Sequence, residues 1–217
     1  MNAATVLAFT VAFGFAVGDW TAKARSNRAL EYVCKPATLV ALIFAAGLLD
    51  PAADAHTRRA WFVAALFFSL AGDVFLMAPR NLFVPGLASF LVGHVCYVVG
   101  FWTHGPSAVA LAIAVVVVAV VVAPLGRHIL TSIARSDDPE SKGLLPPVAG
   151  YIAVISAMLA TALATGNLLA GGGAVLFVAS DSMIAWDRFV RSFRWAGVAI
   201  MVTYHLGQGG LVASLVR

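Results

Sequence analysis

The chain has 217 residues, of which 61 % are hydrophobic and 11 % are charged. A mean hydropathy of +0.93 and a charged fraction well below the roughly 25 % of soluble domains exclude a water-soluble enzyme and leave no length for a soluble domain. The net charge of +4 does not point to nucleic acid, because the basic residues gather in loops beside apolar segments, the pattern that sets membrane topology.

A spanning helix needs about 20 mostly apolar residues, and eight segments qualify: about 3–19, 34–50, 60–78, 83–103, 106–125, 145–165, 171–187 and 195–215. No basic residue precedes the first run, Ala3 to Gly18, so it reads as a retained helix and not a cleaved secretory leader. The second opens on Cys34-Lys35-Pro36, with Glu31 four residues before Lys35. The third carries Asp73, and the fourth carries His94 and Tyr97 about one turn apart. The fifth has no charge at all. Gly126 to Leu144 follows as a solvated loop bearing Arg127, Arg135, Asp137, Asp138, Glu140 and Lys142, and Pro146-Pro147 restarts the chain as a sixth helix with Tyr151 in its first turns. Gly171-Gly172-Gly173 reads as a loop or a loose helix start. The seventh segment carries Ser180 and Asp181, and the eighth carries Tyr204 and Gln208 on one face at i and i+4. Cys34 and Cys96 are isolated and read as inert apolar residues.

The expected fold is all-α, a bundle of eight transmembrane helices forming a single domain over 1–217. Similar separations, 21 residues from Asp73 to His94 and 23 from Asp181 to Tyr204, hint at a weak four-helix repeat over 1–104 and 105–217. Eleven of the fourteen Lys and Arg residues fall in the loops after the first, third, fifth and seventh segments. The positive-inside rule then puts those loops in the cytoplasm and both termini on the outer side of the cell membrane.

Asp73 and Asp181 are the anomaly. Each lies within an apolar segment, seven residues before an arginine (Arg80 and Arg188). An ionisable side chain at membrane depth is expensive and usually functional. The inferred topology puts both on helices running the same way, roughly 8–10 Å below the cytoplasmic interface at 1.5 Å per residue. Two carboxylates in an apolar site can divide labour, one protonated as an acid and one ionised; the sequence does not assign which is which, and the Ser180 hydroxyl beside Asp181 only slightly favours its ionised form. Such a dyad suits acid-catalysed cleavage of an ether or acetal-like bond. Lys35, His94, Tyr97, Tyr151, Ser180, Tyr204 and Gln208 are the expected substrate-binding residues, and Asp187, His205 and His104 are weaker candidates. Arg188, Arg191 and Arg194 read first as topology determinants. No compact spacing of metal ligands and no cofactor motif is present, so neither a metal nor a cofactor is expected.

At these positions the chain resembles the YhhN family of lysoplasmalogenase-like integral membrane proteins. The resemblance rests on Cys34-Lys35-Pro36, on Ser69-Leu70-Ala71-Gly72-Asp73-Val74-Phe75-Leu76-Met77, and on Gly93-His94 with Tyr97. It continues through Phe177, Ser180-Asp181-Ser182 and Tyr204-His205-Leu206-Gly207-Gln208, the last departing from a pattern with a second tyrosine and an alanine. It implies an eight-helix hydrolase of the vinyl ether bond of lysoplasmalogen, releasing a fatty aldehyde and a glycerophospho-alcohol. Asp73 and Asp181 would be the acid–base dyad, and Lys35 with the cytoplasmic arginines would bind the phosphate. The expected partners are a lysophospholipid substrate and membrane lipids. Two rival readings use the same residues: a proton-coupled lipid or small-molecule transporter, and a non-catalytic lipid-binding protein.

Overall fold

The computed structural model describes residues 1–49, 56–103 and 105–216. The described residues form nine helices and no strand: α1 (Ala3–Ala24), α2 (Arg28–Leu48), α3 (His56–Met77), α4 (Phe83–Trp102), α5 (Ala108–Arg135), α6 (Pro139–Gly143), α7 (Leu145–Ala164), α8 (Leu168–Phe189) and α9 (Ala196–Ala213). All but α6 are long and apolar enough to cross a membrane, so the chain is an all-helical multi-pass membrane protein.

Asparagine and serine caps start several of these helices, as the four orphan N–H groups of a helix start require. The Asn2 side chain accepts from the Thr5 amide, Asn27 from Leu30, Ser107 from Ala110, and Asn167 from Leu169 and Ala170. Asp138 caps α6, and the Ser141 hydroxyl and amide together with the Glu140 amide hold its carboxyl below the usual carboxylate range.

Three boundaries differ from the sequence expectation. First, α1 and α2 reach further toward each other, so that Asp19 lies inside α1 and Lys35 lies two turns into α2. Second, most of the expected solvated loop after residue 125 is helical. α5 runs through Pro124 to Arg135 because Ile129 and Ile133, one turn apart, are buried against Leu144 and Val148. Third, Gly171-Gly172-Gly173 lies within α8 and not in a loop. The reason is close approach: a Cβ on Gly173 would stand 2.7 Å from the Leu211 nitrogen and 2.9 Å from the Gly207 oxygen of α9. Small residues let two membrane helices pack backbone to backbone in this way.

Packed neighbours follow the order α1, α2, α3, α4, α7, α8, α9 and back to α1, a closed ring of seven spanning helices. The remaining one, α5, lies outside the ring against α7 and the edge of α8. Its valines Val115, Val116, Val117, Val120 and Val121 are exposed, as suits a helix facing lipid tails. Each ring helix places a polar side chain in the interior: Asp19, Lys35, Asp73, His94, Tyr151, Ser180 and Tyr204 are all buried. The buried residues of α5 are all apolar. One end of the bundle gathers Lys23, Arg28, Arg80 and Arg188 around shared cavities. At the opposite end the Asn2 amide reaches the Leu48 carbonyl, and Arg58 reaches Ser214.

Candidate active site

Asp73 sits four residues before the end of α3 and is 1 % exposed. Lys35 Nζ lies 3.0 Å from Asp73 Oδ1, and the Tyr204 hydroxyl donates to Oδ2 at 2.8 Å. Both carboxylate oxygens therefore have partners from neighbouring helices, which is what a buried charge requires. A third aspartate, Asp19 of α1, is fully buried, and its oxygens have no hydrogen-bond partner among the described residues. Its largest interaction with another charge is with Lys35. The ion pair joins Lys35 to Asp73, and Asp19 feels Lys35 first and Lys23 second without an ion pair to either among the described residues. Beside this cluster the Tyr97 hydroxyl donates to Gln208 Oε1 at 2.5 Å, tying α4 to α9.

Asp181 belongs to a separate network. Its Oδ2 accepts from the Tyr151 hydroxyl and lies 3.5 Å from His94 Nε2. His94 Nε2 is also 2.9 Å from the Tyr151 oxygen. With the tyrosine proton directed to the carboxylate, that oxygen accepts from His94 Nε2–H, which leaves Nδ1 as the bare ring nitrogen. Nδ1 has no partner among the described residues. Two rings separate the networks. Phe177 stands edge-on to His94 at 4.7 Å and to Tyr204 at 5.3 Å, and Phe90 packs on Tyr204 at 5.9 Å. Among the described residues no hydrogen bond joins Asp73 to Asp181.

A cavity opens beside the second network, between α4, α5, α7 and α8. Its walls are apolar, including Phe83, Leu87, Phe90, Val122, Ile129, Ile155 and Phe189, and its polar groups are Tyr151, Asp181 and Ser182. It is a narrow space, with room of about 70 Å³ for water-sized groups, and it opens to the surroundings. Asp181, with its side chain 13 % exposed, lines this cavity, whereas Asp73 and Asp19 do not.

This geometry sits in a chain with known relatives. The sequence pattern of the YhhN family matches residues 30–215. The chain belongs to the YhhN family. The chain is similar to human lysoplasmalogenase TMEM86B, 35 % identical over 70 % of this chain and 62 % of that one. It is also similar to a lysoplasmalogenase of Mycobacterium bovis, 33 % identical over 72 % of this chain and 62 % of that one, and to bovine lysoplasmalogenase TMEM86A, 29 % identical over 75 % and 68 %. The chain therefore spans somewhat under two thirds of the human and mycobacterial relatives. No solved structure matches this YhhN chain.

Of the site residues expected from the sequence, Asp181, Tyr151 and His94 come together at the cavity, and Asp73, Lys35 and Tyr204 come together behind Phe177. Two roles change. Ser180, expected to hold Asp181 in its ionised form, donates instead to the Ile200 carbonyl at 3.1 Å. Lys35, expected at a phosphate, is 4 % exposed and engaged with Asp73. Glu31, four residues before it, pairs with Lys23 at 2.5 Å. Tyr97 donates to Gln208 Oε1 away from the cavity, and Gln208 Nε2 has no partner among the described residues. Among the weaker candidates, Asp187 accepts from the Phe193 amide, His205 Nδ1 accepts from the Trp20 indole at 3.1 Å, and His104 lies outside the described residues. Asp19 was missed because it stands four residues before Lys23 at the end of an apolar run, where it reads as an interfacial charge. Only the longer α1 carries it inside.

Proposed function

We propose that this YhhN protein is a membrane-embedded hydrolase that cleaves the vinyl ether bond of lysoplasmalogen, or of a closely related lysolipid, to a fatty aldehyde and a glycerophospho-alcohol. The observation that carries the reading is Asp181: a carboxyl held by Tyr151 and His94 at the polar end of an apolar slot. The relatives' names supply the bond type, and the slot suits a single alkenyl chain.

The chemistry asks for little else. The Asp181 carboxyl gives its proton to the vinyl carbon remote from oxygen, and the C–O unit becomes an oxocarbenium ion. The carboxylate left behind stabilises that cation and accepts a proton from the attacking water, so the proton is returned and a hemiacetal forms. Transfer of the hemiacetal hydroxyl proton to the glycerol oxygen breaks the second C–O bond and releases the aldehyde. Tyr151 and His94 orient Asp181. In this scheme the two aspartates are unequal partners: Asp73, clamped by Lys35 and Tyr204, acts through the field and the shape of the site without touching substrate. The gathering of arginines and lysines at the end of the bundle nearer Asp73 and Asp181 supports a cytoplasmic position for that end, with both termini outside.

The test is to incubate purified protein with lysoplasmalogen and with the ester lysophospholipid of the same chain length. Aldehyde release from the first, no fatty acid from the second, and loss of at least about a hundredfold in Asp181→Asn is the expected pattern. If neither lipid is cleaved while a pH gradient drives lipid movement in liposomes, the protein is a proton-coupled transporter.

A further inference from the structure

The mouth of the cavity carries charge that the hydrolytic chemistry does not use. Leu76 and Phe83 line both the apolar cavity and a neighbouring space bounded by Pro79, Arg80, Asn81, Leu82 and Arg188. The Arg188 guanidinium lies 4.0 Å from the centre of the Phe83 ring, which fixes it at the junction of the two spaces. Both arginines are exposed, and among the described residues neither has a carboxylate within ion-pair distance. The charge facing them is Glu140 of α6, whose Oε1 accepts from the Asn81 side chain at 3.0 Å and whose field reaches Arg188.

The spacing along α8 acts as a ruler. Asp181 and Arg188 are seven residues apart, two turns of helix and about 10 Å, so both project toward the same side. A ligand whose acid-labile bond meets Asp181 is met by Arg188 a short polar linker further out. A glycerol unit between an ether oxygen and a phosphate is such a linker, and a planar guanidinium is suited to a phosphate oxygen pair.

We infer that Arg80 and Arg188 form the seat for the phosphodiester of the substrate's headgroup, with Glu140 as a resident competitor for Arg188. The inference rests on the hydrolase reading for its ligand, and Lys35 has no part in the seat. Phosphate capture at the mouth makes the site selective for lysophospholipids over uncharged single-chain ethers that fill the apolar cavity equally well.

The test uses saturated ether analogues, which bind without being cleaved. Affinities of purified protein in phosphate-free maltoside micelles are measured for 1-O-hexadecyl-lysophosphocholine and for 1-O-hexadecylglycerol, with aldehyde release from lysoplasmalogen followed in parallel. Wild type should prefer the phosphate-bearing ether at least about tenfold. Arg188→Gln and Arg80→Gln should each lower that preference about tenfold, and Glu140→Gln should raise it. If the double arginine variant keeps the preference, or loses affinity for both ethers alike, the inference is wrong. A preference that appears only when bulk phospholipid is added assigns the arginines to membrane headgroups and also overturns it. If the preference behaves as expected but no aldehyde is released, the seat stands and the hydrolase reading falls.

Discussion

Replacing Lys35 by methionine isolates the energetics of the polar interior. The lysine is 4 % exposed, stands 3.0 Å from Asp73, and is the charge that Asp19 feels most strongly. Methionine keeps most of the volume and removes the cation paired with Asp73, while Asp19 keeps only the weaker field of Lys23. Breaking a buried ion pair from one side costs about 3–5 kcal/mol, because the partner charge is left uncompensated. The reverse substitution, Asp73→Asn, should cost less, about 1–2 kcal/mol: Lys35 keeps Asp19, and the amide oxygen still accepts from Tyr204. In the double variant no charge is stranded at position 73, so its cost should fall short of the sum of the singles by about 2 kcal/mol. SDS titration in mixed micelles, followed by far-UV circular dichroism, measures all four proteins. Costs that add within about 0.5 kcal/mol, or a larger loss for Asp73→Asn than for Lys35→Met, would refute the account of Lys35 as the main counter-charge of the buried carboxylates.

Two further substitutions probe the two ends of the argument. Tyr151→Phe removes the hydroxyl that donates to Asp181 and should lower aldehyde release roughly 10- to 100-fold, with the unfolding curve moved by less than about 2 kcal/mol. Gly173→Val puts a branched side chain where the α9 backbone stands within 2.7–3.0 Å of a Cβ. It should destabilise the protein by about 3 kcal/mol or more, far beyond the effect of the same change at Gly172, which has open space around it.

The membrane class, the eight spans and the polar residues of the interior were legible in the sequence because each rests on a local signal: a length of apolar chain, or a charge within it. What was not legible is how the residues pair. The similar separations that set His94 after Asp73 and Tyr204 after Asp181 do not decide the pairing: His94 meets Asp181, and Tyr204 meets Asp73. The partners cross between halves because the ring places α4 next to α7 and α8, and closes α9 onto α1 and α2. No run of sequence encodes ring closure. The same reason hides the position of α5, the most apolar segment and the easiest to recognise, which lies outside the ring and forms one wall of the cavity. Its extension to Arg135 was hidden because Ile129 and Ile133 stand among Arg127, His128, Thr131, Ser132 and Arg135 and gain their meaning only from Leu144 and Val148. Asp19 needed the true end of α1 before it could be seen as buried. The glycine triplet was misread because backbone contact with α9, a tertiary feature, overrides the low helix propensity of glycine.

The central claim is that Asp181 protonates carbon. Turnover of lysoplasmalogen in D₂O by the purified protein tests it most directly, with the aldehyde analysed by mass spectrometry and Asp181→Asn run alongside. Acid-catalysed opening predicts an aldehyde carrying one deuterium on the carbon next to the carbonyl, from the first turnovers onward, and no such product from Asp181→Asn. An aldehyde released without that deuterium, or released at an undiminished rate by Asp181→Asn, would contradict the account.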